Sequence, residues 1–417
     1  MVGPSPGSSF AIVHATALTM APRAARADGK ATVGEDDLGI LGDATIVVRD
    51  GIIADVIHGH ASPAPQPGLD TYDVRGAVVM PGLVDAHTHA LFAGDRVADF
   101  ESLARAEKPR LGIAYTVAQT RELALPSLEV IGRRRLGPMR AHGTTTVEVK
   151  TGYALTADGE ALLLEALAAL DGAPDLPHVV ATFCGAHALP PEFASYDAFV
   201  DELIARILPR VAATNIARFA DAFCERGYFT PEQSHRFLAA CAARGMQLRI
   251  HADELSASGG AKLAAALHCV SADHLNFIDA DDIAALRESG TIAVLCPATA
   301  QYLELPRLAP ARALIDAGVP VAFATDFNPG TCPCYSLQEV VHIARRRMRV
   351  SAPEAIAGVT TIAARSLDAF GVAGCIVPGR PADLILLETN DYREFGYYFG
   401  VNLVAWTASG KKAQHVA

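Results

Sequence analysis

Short apolar runs and Ala/Leu-rich stretches alternate along the middle of the chain, at intervals of a few tens of residues. That rhythm predicts strands each followed by a helix, as in a parallel sheet whose helices cover its faces. Eight runs qualify as strands: residues 78–86, 144–149, 178–183, 216–223, 248–252, 269–273, 291–295 and 321–325. Between the fourth and fifth, residues 231–244 have helical spacing, with Phe237, Leu238 and Cys241 on one face. Eight strands interleaved with helices predict an α/β fold, a closed (β/α)₈ TIM barrel. An open doubly wound sheet is the alternative that the pattern leaves open.

The two ends of the chain read differently. β-branched runs at 44–48 and 52–57 flank the turn-forming Asp50-Gly51 and predict a hairpin. Near the other end, residues 382–387 and 403–407 read as strands separated by turns. Neither end can bury a core alone, so both are expected in one small β-sandwich domain. The expected division is 1–80 and 369–417 for the small domain and 81–368 for the barrel.

Composition narrows the function. The chain has 417 residues, 51% hydrophobic and 19% charged, which suits a large buried core. A formal net charge of −11, with no basic run, argues against nucleic acid as a partner. No apolar run reaches the ~18 residues of a membrane span, and the stretch near Phe10 is too short for a secretory segment. The eight cysteines have neither zinc-ribbon nor CxxC spacing, and Cys332 and Cys334 form a lone C-P-C. Reduced thiols in a cytoplasmic protein are the expectation.

Polar, metal-capable residues recur just past the ends of the predicted strands. His87-Thr88-His89 follows the first strand, and alternation points both imidazoles to one side. The fifth strand ends in His251, the sixth in His274 and the eighth in Asp326. Each alone has a bland reading: HxH arises by chance, His251 fits a core, and Asp326 fits a helix cap. Together they sit at the face where a barrel carries its active site, and imidazole with carboxylate suits one zinc or iron ion. His58, His60, His142, His235, His268, His342 and His415 lack that context and are read as structural or exposed.

Pro81-Gly82-Leu83-Val84-Asp85-Ala86-His87-Thr88-His89 resembles the first-strand motif of the amidohydrolase superfamily. Val147-Glu148-Val149-Lys150-Thr151-Gly152-Tyr153, Cys184-Gly185-Ala186-His187, and Ile250-His251-Ala252-Asp253-Glu254 are similar to the imidazolonepropionase family in particular. So are Ser271-Ala272-Asp273-His274-Leu275, Asp326-Phe327-Asn328-Pro329-Gly330 and Phe399-Gly400-Val401-Asn402. The resemblance runs over nearly the whole chain. It implies hydrolysis of the ring carbon–nitrogen bond of a small-molecule substrate, 4-imidazolone-5-propanoate, to N-formimidoyl-L-glutamate in histidine degradation. It implies one metal ion, divalent or trivalent, zinc or iron, on His87, His89, His251 and Asp326. Arg96 would grip the propionate, and Tyr153 and His187 would contact substrate, His187 as a donor to the oxyanion. Glu254, His274 and Asp326 would manage protons, and Asn328, Gly330 and Thr331 would line the product end. The absence of lysine from the fourth strand favours one metal over a lysine-bridged pair, and a homodimer is common among such enzymes.

The match departs at residues 100–113, where the family has a longer loop with a tyrosine. Tyr115 or Arg110 is expected to replace the lost contact to the carboxylate arm. The change keeps open an amidohydrolase or deaminase acting on a related small heterocycle. A non-catalytic binding protein would have lost a ligand position, and none is lost.

Overall fold

Residues 3–22, 33–59 and 69–410 are described by the computed structural model, and their strands divide between two sheets. In chain order these are β1 (Phe10–Leu18), β2 (Ile40–Arg49), β3 (Ile52–Ile57), β4 (Asp70–Asp73), β5 (Val78–Pro81), β6 (Leu83–Asp85), β7 (Thr144–Lys150) and β8 (His178–Ala186). Then come β9 (Phe219–Cys224), β10 (Gln247–Ala252), β11 (Ser271–His274), β12 (Ile292–Leu295), β13 (Val321–Phe323), β14 (Leu384–Leu387) and β15 (Val404–Ala408).

β6 to β13 follow one another around an eight-stranded parallel sheet. The ring closes past the strand ends, where Thr88 bridges Phe327. The His89 N–H donates to the Phe327 carbonyl, and the Asp326 N–H to that of His87, both at 2.9 Å. Three of the four metal-ligand candidates, His87, His89 and Asp326, therefore lie on the seam that closes the barrel, while His251 stands on β10. Helices cover the outside, and the sequence caps them locally. Helix Pro231–Ala242 starts at Thr230, whose hydroxyl accepts from the Gln233 N–H, while the Gln233 side chain accepts from the Thr230 N–H.

The single strand expected at 78–86 is two strands. β5 pairs antiparallel with β14 in the small sheet, while β6 pairs with β7 in the barrel. Gly82 makes the passage, because a Cβ there would lie 2.2 Å from Thr145 Oγ1.

The small sheet has seven strands in the order β15-β14-β5-β1-β2-β3, with β4 also on β1. It unites both chain ends, and the expected hairpin is β2–β3. β1 is its centre: Phe10–Val13 pair with β4 and Thr16–Ala17 with β5. Ile12, Ile46, Ile53, Leu384 and Trp406 belong to a core distinct from that of the barrel. Among the described residues no helix is long and apolar enough to cross a membrane, and all eight cysteines are free.

Candidate metal centre and active site

Past β6, alternation sends His87 and His89 into the barrel. Thr88 between them turns away, its hydroxyl donating to the Glu148 carbonyl at 2.7 Å. His251 from β10 meets them, with its Nε2 3.2 Å from His89 Nε2. The nitrogens that His87, His89 and His251 offer lie within 4.8 Å of one another. Asp326 Oδ1 stands 3.6 Å from His87 Nε2 and 3.8 Å from His89 Nε2.

Behind the imidazoles lies a buried ionic layer. His87 Nδ1 donates to Asp273 Oδ2 at 2.6 Å, and His251 Nδ1 to Asp221 Oδ1 at 2.9 Å. Each carboxylate accepts the Nδ1–H hydrogen bond and so turns the ring's Nε2 towards the centre. Lys150 Nζ lies 2.6 Å from Asp221 Oδ2 and 2.8 Å from Glu148 Oε1, and Arg249 Nη2 lies 3.2 Å from Asp273 Oδ2. All five side chains are fully buried. Burial opposes the Lys150 charge, but Asp221 and Glu148 outweigh it and hold its pKa above the usual lysine value.

Three carboxylates against two cations leave one negative charge, a surplus that favours a cation nearby. His87 Nε2, which faces the other ligand candidates, has no hydrogen-bond partner, and neither has His89 Nδ1. Buried polar atoms are rarely left so. Three imidazoles and a carboxylate are a donor set for a divalent metal, and the residues fit one. β9 carries no lysine, as read from the sequence. Lys150 reaches Asp221 of β9 from β7 and is committed to that pair. The ionic layer went unread in the sequence, although a carboxylate inside the apolar run Phe-Ala-Asp-Ala-Phe-Cys was a signal for it.

Glu254 and His274 flank the centre, with Glu254 Oε1 3.8 Å from His274 Nδ1. Neither ring nitrogen of His274 has a hydrogen-bond partner. Burial, reinforced by Asp326, pushes the Glu254 carboxyl up to about 8, and burial lifts Asp326 to about 6. Burial also holds His274 well below the usual histidine value. His274, Leu275 and Asp326 have φ of 74°, 61° and 51°. Such left-handed backbone costs on the order of 1–3 kcal/mol per residue and concentrates at functional sites.

His187 stacks on His89 with ring centroids 4.7 Å apart, and Tyr153 stands edge-on to His187 at 5.2 Å. His187 Nδ1 donates to the Gly152 carbonyl at 3.0 Å, and burial lowers its pKa to about 4. The ring is neutral at pH 7 and offers Nε2 as an acceptor. The sequence reading has His187 donating to the oxyanion, whereas this tautomer presents an acceptor.

Arg96 borders a cleft of about 710 Å³ that Phe92, Phe100, Arg134, Tyr302 and Asn328 also line. Its Nε donates to Asp99 Oδ2 at 2.5 Å, and the guanidinium packs over Gly330, where a Cβ would come within 2.5 Å of Nη1 and push it aside. Asn328 Oδ1 accepts from the N–H groups of Gly330 and Thr331 at 2.8 and 2.7 Å, which binds all three into one turn.

Arg110 and Tyr115 do not line the cleft. Arg110 pairs with Glu107 in solvent, and Tyr115 packs beside Gly94. Arg134 and Tyr302 are there instead, at positions that no motif marks. Of the histidines set aside, His58, His235 and His268 are exposed, His142 and His342 are half-buried, and His60 and His415 lie outside the described residues.

The Amidohydrolase family profile matches residues 78–411. The imidazolonepropionase of Bdellovibrio bacteriovorus is 40% identical over 394 residues, covering 92% of this chain and 91% of that protein. That of Rubrobacter xylanophilus is 41% identical over 376 residues, covering 87% and 89%. Among solved structures, 5-methylcytosine deaminase from Klebsiella pneumoniae superposes with a TM-score of 0.70 at 17% identity, covering 98% of this chain and 99% of that one, which is a likeness of fold.

Proposed function

The chain belongs to the imidazolonepropionase family of amidohydrolases, and on that footing we propose that it opens the ring of 4-imidazolone-5-propanoate with water to give N-formimidoyl-L-glutamate. The observation that carries this reading is the convergence of three imidazoles and a carboxylate, with His87 Nε2 unpartnered, next to a cleft that Arg96 and Arg134 border and that reaches Phe327 and Asn328. His87, His89, His251 and Asp326 would hold zinc or iron, which would lower the pKa of bound water to about 7 and polarise the ring carbonyl.

The chain's own residues do the rest. The Arg96 guanidinium, held by Asp99 over Gly330, pairs with the substrate carboxylate, and Arg134 adds positive charge at the same cleft. His187 Nε2 accepts from a ring N–H, which orients the heterocycle. His274, with neither nitrogen engaged, takes the proton of the attacking water. Glu254 Oε1, 3.8 Å from His274 Nδ1, delivers a proton to the ring nitrogen as the carbon–nitrogen bond breaks. The proton on His274 then returns Glu254 to its starting state.

The test is turnover of freshly generated 4-imidazolone-5-propanoate by purified protein, followed by loss of ultraviolet absorbance, with mass spectrometry identifying formimidoylglutamate. Turnover that stops on chelation and returns with zinc or iron is the expected result. A folded, metal-loaded protein that leaves this substrate untouched would move the reading to another small heterocycle.

A further inference from the structure

We propose that His87, His274 and Cys296 form a second metal site, overlapping the first, that takes a thiophilic divalent ion such as cadmium or excess zinc and silences the enzyme. Cys296 follows β12 at the start of helix Pro297–Tyr302 and is 3% exposed. Its Sγ and one nitrogen from each of His87 and His274 lie within 4.8 Å of one another. Zinc sits about 2.3 Å from sulfur and about 2.0–2.1 Å from imidazole nitrogen, which puts tetrahedral ligands roughly 3.5 Å apart. The three groups need to draw in by about an ångström.

The cysteine is not the only pointer to an ion. His274 is 1% exposed, yet neither of its ring nitrogens has a hydrogen-bond partner, and His87 Nε2 has none. The donor set also differs in kind. A thiolate with two imidazoles is soft and selects zinc or cadmium, whereas three imidazoles with Asp326 accept harder ions as well. On binding, the sulfur–metal bond replaces the thiol S–H bond, and the proton leaves to solvent.

The two sites exclude each other. His87 Nδ1 is engaged by Asp273 at 2.6 Å, so the ring has only the Nε2 lone pair to give, and both sites need it. An ion on Cys296 takes His87 from the first site and also occupies His274. The inhibitory consequence rests on the hydrolase reading above, whereas occupancy of the thiol site does not.

Titration of the protein with cadmium chloride, followed by the ultraviolet charge-transfer absorption of a cadmium–thiolate bond, tests the site without any substrate. One equivalent of absorption is expected in the wild type, retained in C184S and C332A and lost in C296A. Cys184 is a needed control because it lies within the same reach of Asp221 and His251. C296A is expected to keep turnover and to need at least tenfold more cadmium for half-inhibition. Should C296A fail to melt cooperatively, H274Q, which keeps the thiol, is expected to weaken the cadmium signal at least tenfold. No absorption in the wild type, or absorption that survives C296A, would overturn the site. Absorption lost in C296A with unchanged cadmium sensitivity would overturn its inhibitory role.

Discussion

A metal-ligating imidazole must present one particular nitrogen, and the carboxylate behind it decides which. Asp221 does this for His251 while also holding Lys150. D221N is therefore expected to lower metal affinity by about 10–100-fold, read as residual metal after dialysis against chelators of graded strength. It should also lower the melting temperature, because stripping one partner from a buried ion pair costs roughly 3–5 kcal/mol. H274A should behave in the opposite way. With the proton acceptor gone, kcat is expected to fall by roughly 10²–10⁴-fold while metal content stays near wild type. Loss of the metal would recast His274 as a ligand. The strand-end histidines and Asp326 were legible because alternation and strand position restrict where they point. Asp221, Asp273 and Lys150 were not, because a charge inside an apolar strand declares burial without naming its partner.

Helix Val97–Ala104 and the loop after it hang on a single carboxylate. Asp99 accepts from the N–H groups of Arg110, Leu111 and Gly112 at 2.7, 2.8 and 3.1 Å as well as from Arg96. The shortened loop thus reaches Arg96 through its backbone, by fixing the carboxylate that holds the guanidinium. Charge-assisted hydrogen bonds contribute about 1.5–3 kcal/mol each, so D99A is expected to raise KM at least tenfold with metal content unchanged. Faster proteolysis between residues 105 and 112 would accompany it, and an unchanged KM would remove Asp99 from substrate binding. Seven of the eight barrel strands were readable as apolar runs, to within a few residues. The first misled, because residues 78–84 are continuously apolar and serve two sheets that bury them equally. β4, Asp-Thr-Tyr-Asp, carries no alternation at all, since its side chains are largely exposed.

At the scale of the molecule, the small sheet makes stability depend on both chain ends. β14 buries Leu384, Ile385, Leu386 and Leu387 against β5 and β15. Burying such side chains contributes about 1.5–3 kcal/mol each, which for four of them approaches the ~5–15 kcal/mol that holds a whole domain folded. A chain ending at residue 383 is therefore expected to be insoluble or to lose its cooperative melt, as checked by the soluble fraction and a thermal scan. The union of the two ends was legible in the sequence, because neither end can build a core alone. The forked centre at β1 was not, because its partners lie in separate stretches of chain.

The pairing of β5 with β14 also sets an order in time. A ribosome releases β5 early and β14 only after the barrel between them has been made. Throughout that interval one edge of β5 is bare, the kind of edge that other nascent chains can join. β14, made after the barrel, is the strand that closes it. Folding of the small domain thus waits for β14, and a delay there leaves a finished barrel tethered to an open sheet.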